Sequence, residues 1–194
     1  MGYWSTNSPT SPRTAYLGFS NPSPVVYDMW SSASVVTVSN TATETALLTG
    51  AVSLGSLTIP ANYLIAGSQL RIVLRGYIQT AAAVPTVTLK VLLGAVTIYT
   101  TGAQSLATGQ IVTPAGCEVG LEMGVRTIGA TGSISCNGVL WTSSSLAVGI
   151  SPSTDQVGTV DTTVAETLSV TFKWGTADPA NVFSLSSAVV EIMG

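Results

Sequence analysis

From Val119 to Arg126 the chain alternates without a break. Val119, Leu121, Met123 and Val125 are apolar, and Gly120, Glu122, Gly124 and Arg126 between them are not. Successive side chains of a strand point to opposite faces, so this period of two predicts a β-strand with one face in a core. The pattern recurs. Leu70, Ile72, Leu74 and Ile78 alternate with Arg71, Arg75 and Tyr77, and Val87, Leu89, Val91 and Leu93 alternate with Thr88 and Lys90. Leu168, Val170, Phe172 and Trp174 alternate with Ser169, Thr171 and Lys173. Ser34–Ser39 and Val182–Met193 read as further strands. Leu47–Ile59, Val96–Thr101 and Ser133–Thr142 read as weaker ones, the last with Asn137-Gly138 as a bulge or turn. Turn formers such as Pro60-Ala-Asn62, Ala66-Gly67-Ser68 and Asp178-Pro179 separate the runs, and no long window carries a helical stripe. The expected fold class is all-β: an antiparallel β-sandwich of about eight to ten strands, wrapped as a jelly roll.

Residues 1–32 differ from everything after them. They hold Pro9, Pro12, Pro22 and Pro24 and six of the thirteen aromatic residues: Tyr3, Trp4, Tyr16, Phe19, Tyr27 and Trp30. Proline fixes φ and removes a donor, so an extended N-terminal arm is expected here, followed by one sandwich domain over residues 33–194. A solvated linker would carry the serines and prolines without the aromatics. Large rings on an extended arm instead fit pockets on a neighbouring subunit or partner.

Composition narrows the chemistry. Of 194 residues only six are Lys or Arg and nine Asp or Glu, and none is His. Two lysines and four arginines in a chain of net charge −3 cannot neutralise a phosphate track, so no nucleic-acid partner is expected. Without histidine there is no Ser-His-Asp or Cys-His catalytic arrangement, and the commonest zinc ligand is missing. Neither a metal nor another cofactor is expected. The uncharged stretches Val91–Cys117 and Thr127–Thr154 are broken by Gly, Ser, Thr, Asn, Gln or Pro every few residues, so no spanning helix and no membrane association are expected. The start Met-Gly-Tyr-Trp-Ser-Thr has neither a basic nor an apolar leader region. Cys117 and Cys136 read as two buried small hydrophobes rather than a disulfide.

The remaining catalytic material is carboxylate. Asp155 and Asp161 fall in a polar stretch, Ser151–Thr163, and read as solvated turn acids that cap backbone donors rather than as an acid–base pair. Glu118, Glu122 and Arg126 share the outer face of one strand, and Arg71 and Arg75 that of another. Such rows form ion pairs across strands or between subunits. Val73 falls on the same outer face, where an apolar side chain suits a subunit contact better than bare water. The expected subunit interface is therefore Arg71, Val73, Arg75, Glu118, Glu122 and Arg126. Trp141 and Trp174 are expected in or beside the core, leaving Tyr63, Tyr77 and Tyr99 as the rings that could meet a sugar.

Two stretches carry a resemblance. Ser56-Leu-Thr-Ile-Pro-Ala-Asn-Tyr-Leu-Ile-Ala-Gly-Ser-Gln-Leu-Arg-Ile, followed by Pro85-Thr-Val-Thr-Leu-Lys-Val-Leu-Leu-Gly94, is one. Thr162-Thr-Val-Ala-Glu-Thr-Leu-Ser-Val-Thr-Phe-Lys-Trp-Gly-Thr-Ala-Asp is the other. Both resemble virion structural proteins of tailed bacteriophages, small Ser/Thr/Gly-rich β-proteins that decorate the head or form a fibre tip. The resemblance covers about residues 45–193 and excludes the arm. It implies a jelly-roll-like homotrimer at the particle surface without enzymatic activity, and it supplies no catalytic residue. A decoration (cement) protein would bind the major capsid protein or another virion protein through its arm. A fibre or spike tip would present loops to a host glycan. Only a short arm precedes the sandwich, too short for a shaft, which favours decoration.

Overall fold

The computed structural model describes residues 25–29, 36–48, 57–81, 85–106, 113–142 and 156–193, with the side chains of 25–29 and 142 left aside. These residues form thirteen strands and, among them, no helix. One sheet joins β1 (Val25–Met29), β13 (Val182–Met193), β5 (Gln69–Gln79), β9 (Ala115–Thr127), β10 (Gly132–Thr142) and β11 (Gln156–Val160) in that order, with β2 (Val36–Ser39) also on β13. The other joins β3 (Thr45–Ala46), β12 (Glu166–Trp174), β6 (Thr86–Leu93) and β7 (Val96–Thr100). To it β12 adds β4 (Thr58–Ile59), and β6 adds β8 (Gln104–Ser105). Every pairing is antiparallel, and the two sheets pack as a β-sandwich.

The alternating apolar residues supply the core. Leu70, Ile72, Leu74, Val119, Leu121 and Met123 from the larger sheet are buried against Leu89, Val91, Leu168, Val170 and Phe172 from the smaller one. Each strand offers its apolar face only if its register is held, because a one-residue slip would turn that face to solvent. The β5–β9 ladder runs without a shift from Gln69↔Gly124 to Ile78↔Ala115.

Two edges are built from broken strands. β1 and β2 lie end to end along one edge of β13, opposite Val189–Ile192 and Val182–Leu185. β3 and β4 lie likewise along β12. Of the strand expected over Leu47–Ile59, the Leu47 N–H donates to the Val170 carbonyl at 2.7 Å and Thr58–Ile59 pairs with β12, while residues 49–56 lie outside the described residues. Val25–Met29, assigned by sequence to the arm, is a strand of the sandwich; Pro24 just before it hides a β-edge signal inside a proline-rich context. Gln156–Val160, placed by sequence in a polar loop, is also a strand. Its Gly158 lies where an added Cβ would overlap the Ile98 side chain, so an apolar period could not be read across it. Asn137-Gly138 makes neither bulge nor turn: both residues sit in the β10–β9 ladder, whose register shift falls at Ser133/Ile134 instead.

Side chains fasten the open flanks where the sheets do not hydrogen-bond to each other. The Gln156 carboxamide takes the place of a strand neighbour, accepting from the Thr100 N–H at 2.9 Å and donating to the Thr100 carbonyl at 2.5 Å. Beside it, the buried Tyr99 hydroxyl donates to the Gly138 carbonyl at 3.1 Å, from the smaller sheet to the larger. Burial holds the Tyr99 phenol well above its usual range. On the opposite flank the Trp174 indole N–H donates to the Val38 carbonyl at 2.9 Å.

Cys117 and Cys136 are both buried and unlinked, as the sequence predicts. Burial pushes the Cys117 thiol up to about 12, so little thiolate exists at neutral pH. We expect neither of the chain's two cysteines to react with a thiol reagent in the native protein over minutes, and both to react in denaturant. Rapid labelling of native protein would contradict this burial.

The Glu44–Lys90 ion pair is joined by Thr171, whose Oγ1 donates to Glu44 Oε1 at 2.7 Å. The Lys90 hydrogen bond, and then that of Thr171, holds the Glu44 carboxyl below its usual 4.5. A carboxylate with a depressed pKa stabilises the fold above its unfolded pKa, and the gain is lost as pH falls through the folded value. Thermal melts between about pH 5 and about pH 3 should therefore lose a contribution that Glu44→Gln lacks at every pH, so the two curves converge in acid. Parallel curves would remove Glu44 from the acid response.

Candidate functional site

The outer face of the larger sheet is the most developed surface among the described residues. Antiparallel register aligns its outward side chains in rows across β5, β9 and β10. Arg75, Glu118 and Trp141 form one row; Val73, Gly120 and Val139 the next; then Arg71, Glu122 and Asn137; then Gln69, Gly124 and Ser135. Five of the six residues expected at a subunit interface are brought together in this way. Arg126 shares their face but lies beyond them, near the end of β9.

The charges pair on the face itself. Arg75 Nε donates to Glu118 Oε2 at 2.7 Å, and Arg71 Nη1 lies 3.9 Å from Glu191 Oε2 on β13. Exposed pairs of this kind contribute about 0–1 kcal/mol each, so they set the electrostatic balance more than the stability. Val73 is 9% exposed although it lies outside the core cluster, on the outer face of β5.

The face is hollow rather than flat. Glycine at 120 leaves the middle of β9 without a side chain, and walls rise on either side from Arg71, Glu118, Glu122 and Trp141. The resulting groove has a volume of about 640 Å3, and a smaller depression of about 180 Å3 continues it over Gly124. Trp141 closes one end at 59% exposure, which corrects the expectation that it lies in or beside the core. A strand's parity explains the reversal. Ile134, Cys136 and Leu140 point inward, so Trp141 must point outward once Asn137-Gly138 is an unbroken part of the ladder. Tyr99 is corrected in the other direction, being 1% exposed and bonded to Gly138. Trp174 is fully buried, as expected, and Tyr77 remains on the surface.

The two ends of the sandwich differ. At the end where β5 begins, three loops are tied together through Thr162. Its N–H donates to the Gly129 carbonyl at 3.0 Å, its Oγ1 accepts from the Gly129 N–H at 2.8 Å, and its carbonyl accepts from the Asn62 N–H at 2.9 Å. Each loop exposes one aliphatic side chain: Ile65 at 41%, Ile128 at 53% and Val164 at 47%. Val25 pairs with Ile192 at this same end, so residues 1–24 join the sandwich here. Of the aromatic residues expected to dock the arm, Tyr27 falls in β1, at the register shift between Val26 and Asp28. Tyr3, Trp4, Tyr16, Phe19 and Trp30 lie outside the described residues.

Among the described residues no cluster of three His, Cys, Asp or Glu could hold a metal. Asp161 caps its own turn, accepting from the Thr163 Oγ1 at 2.6 Å and the Thr163 N–H at 2.8 Å. Those bonds hold its carboxyl below the usual range. Asp155 lies outside the described residues. No protein-family model matches the chain, and neither a curated protein nor a solved structure matches it.

Proposed function

We propose that this chain is a non-enzymatic structural protein of a phage particle, a head decoration (cement) protein that binds the head surface as a homotrimer. One observation carries the reading: the end of the sandwich that residues 1–24 join is also the end whose tied loops expose Ile65, Ile128 and Val164. An arm and three apolar tips on one end make a natural foot for a larger shell, because exposed aliphatic side chains gain most when covered. The strand order supports a jelly roll. If β1–β2 count as the first strand and β3–β4 as the second, first, last, third and sixth neighbour one another in the larger sheet. The second, seventh, fourth and fifth do so in the smaller one, with the two-residue β8 left out of the count and β10–β11 as an added hairpin.

The test is occupancy on heads that lack the protein. A chain shortened by residues 1–24 keeps β1 and should remain a folded trimer that no longer binds. Ile65→Ser, Ile128→Ser and Val164→Ser combined in the full chain should weaken binding as well. Full decoration by the shortened chain would overturn the reading. A second reading, a fibre or spike tip that recognises a host glycan, gains from the exposed Trp141. It predicts saturable binding to host cells instead.

A further inference from the structure

Three properties of the groove on the larger sheet converge on one class of ligand. The first is its aromatic wall. Trp141 is the most exposed large apolar side chain among the described residues, and an indole facing water offers a platform to an apolar ring face. The second is its charge. Arg71, Glu118 and Glu122 line the groove, so the walls offer a strong donor and strong acceptors, with carboxylate in excess. Asn137 adds a carboxamide to the same row as Arg71 and Glu122. The third is shape. Glycine at 120 keeps the floor low, a Cβ there meeting Val139 Cγ1 in ordinary contact at 3.7 Å, and about 640 Å3 lies in the usual range for small-molecule sites.

These properties discriminate among occupants. An extended peptide cannot add to this surface as a strand, because the ladders of β5, β9 and β10 already use their backbone groups. A second copy across a two-fold axis would oppose hollow to hollow and leave the floor unfilled, and a three-fold neighbour seated here would make Trp141→Ala dissociate the oligomer, an outcome that counts against the proposal. A polyanion would meet two carboxylates against one guanidinium in the lining. A neutral sugar meets all three conditions: apolar C–H faces for the indole, and hydroxyls that both accept from arginine and donate to glutamate.

We propose that the groove is a binding site for a neutral oligosaccharide, with Trp141 as the stacking platform and Arg71, Glu118, Glu122 and Asn137 as its hydroxyl partners. Trp141 lies toward the end of the sandwich opposite Ile65, Ile128 and Val164, so a shell covering that foot would leave the groove accessible. The site does not depend on the virion reading. Loss of head binding and loss of sugar binding are separate results.

The experiment is calorimetric titration of the full chain with maltohexaose, cellohexaose, mannohexaose and chitohexaose, and with hexagalacturonate as the charged comparison. At least one neutral sugar should bind saturably. Trp141→Ala should weaken it about tenfold or more without changing the melting temperature, and Arg71→Ala should weaken it by a smaller factor. Val164→Ala, at the opposite end, should bind as the parent does. Absence of binding by all four neutral sugars at millimolar concentration would overturn the proposal, as would binding of hexagalacturonate alone. So would a Trp141→Ala variant that binds unchanged, or one whose only effect is to dissociate an oligomer.

Discussion

Gly76→Ala should cost about 3 kcal/mol or more, while Gly120→Ala, on the neighbouring strand of the same sheet, should stay within about 0.5 kcal/mol of the parent. The difference lies in what a methyl group would meet. At Gly76 the added Cβ would overlap the Ser184 carbonyl oxygen, with the Ser184 carbonyl carbon 2.9 Å away and Leu185 Cα 3.0 Å away. All three are backbone atoms of β13, which is held on both sides, so no rotamer change relieves the overlap. The crowding has a local origin. β13 carries an extra residue between Leu185 and Ser187, and Ser186 Oγ donates to the Arg75 carbonyl at 3.0 Å, drawing the bulged strand against β5. Gly120 faces the open groove, where alanine meets only ordinary contact and loses less backbone entropy on folding than glycine. Urea unfolding at equal m-values reads the comparison directly. Similar midpoints for the two variants would mean that the β5–β13 crossing is not as tight as described.

That pair of glycines also marks where sequence reading succeeds and where it stops. Period-two alternation located β5, β6, β9, β12 and β13 because each strand buries one full face and its partner strands hold the register. It also placed Arg71, Arg75, Glu118 and Glu122 on outer faces, and the cross-strand pairing of Arg75 with Glu118 followed. Short edge strands escaped it. Val25–Met29 and Gln156–Val160 are too brief for a period to stand out, and their pairing is dictated by β13 and β10 rather than by their own residues.

The groove was half legible. Glycine at 120 between Glu118 and Glu122, and at 124 between Glu122 and Arg126, is visible in the sequence, but its meaning depends on which strands flank β9. Trp141 was lost to a single local inference. Asn-Gly is a strong turn signal, and a turn there would have reset the parity of every residue after it. The ladder overrides that propensity. Gly138 is used instead for close packing, since a Cβ there would overlap the Leu121 side chain and crowd the Tyr99 hydroxyl.

Trp174→Ala should cost about 3–5 kcal/mol, the range for removing a large buried aromatic, and lower the melting temperature by roughly 2–4 °C for each kcal/mol. Trp174 is fully buried and meets Phe172 edge to face at 5.0 Å, and Phe172 stacks on Phe183 at 4.4 Å. Phe172 belongs to β12 and Phe183 to β13, so this row of rings binds the smaller sheet to the larger one. The indole does a second job that packing alone would miss. Its N–H satisfies the Val38 carbonyl on β2, a four-residue strand that pairs, among the described residues, with β13. Trp174→Phe separates the two roles, because it keeps an aromatic in the core and removes the donor. It should cost about 1–3 kcal/mol, the penalty for an unpaired buried carbonyl, and the loss should concentrate on β2. Hydrogen exchange at the amides of residues 36–39 should then quicken relative to those of β5 and β9, which keep all their partners. Equal protection of β2 in Trp174→Phe and the parent would show that β13 alone holds that edge, and would reduce Trp174 to a packing residue.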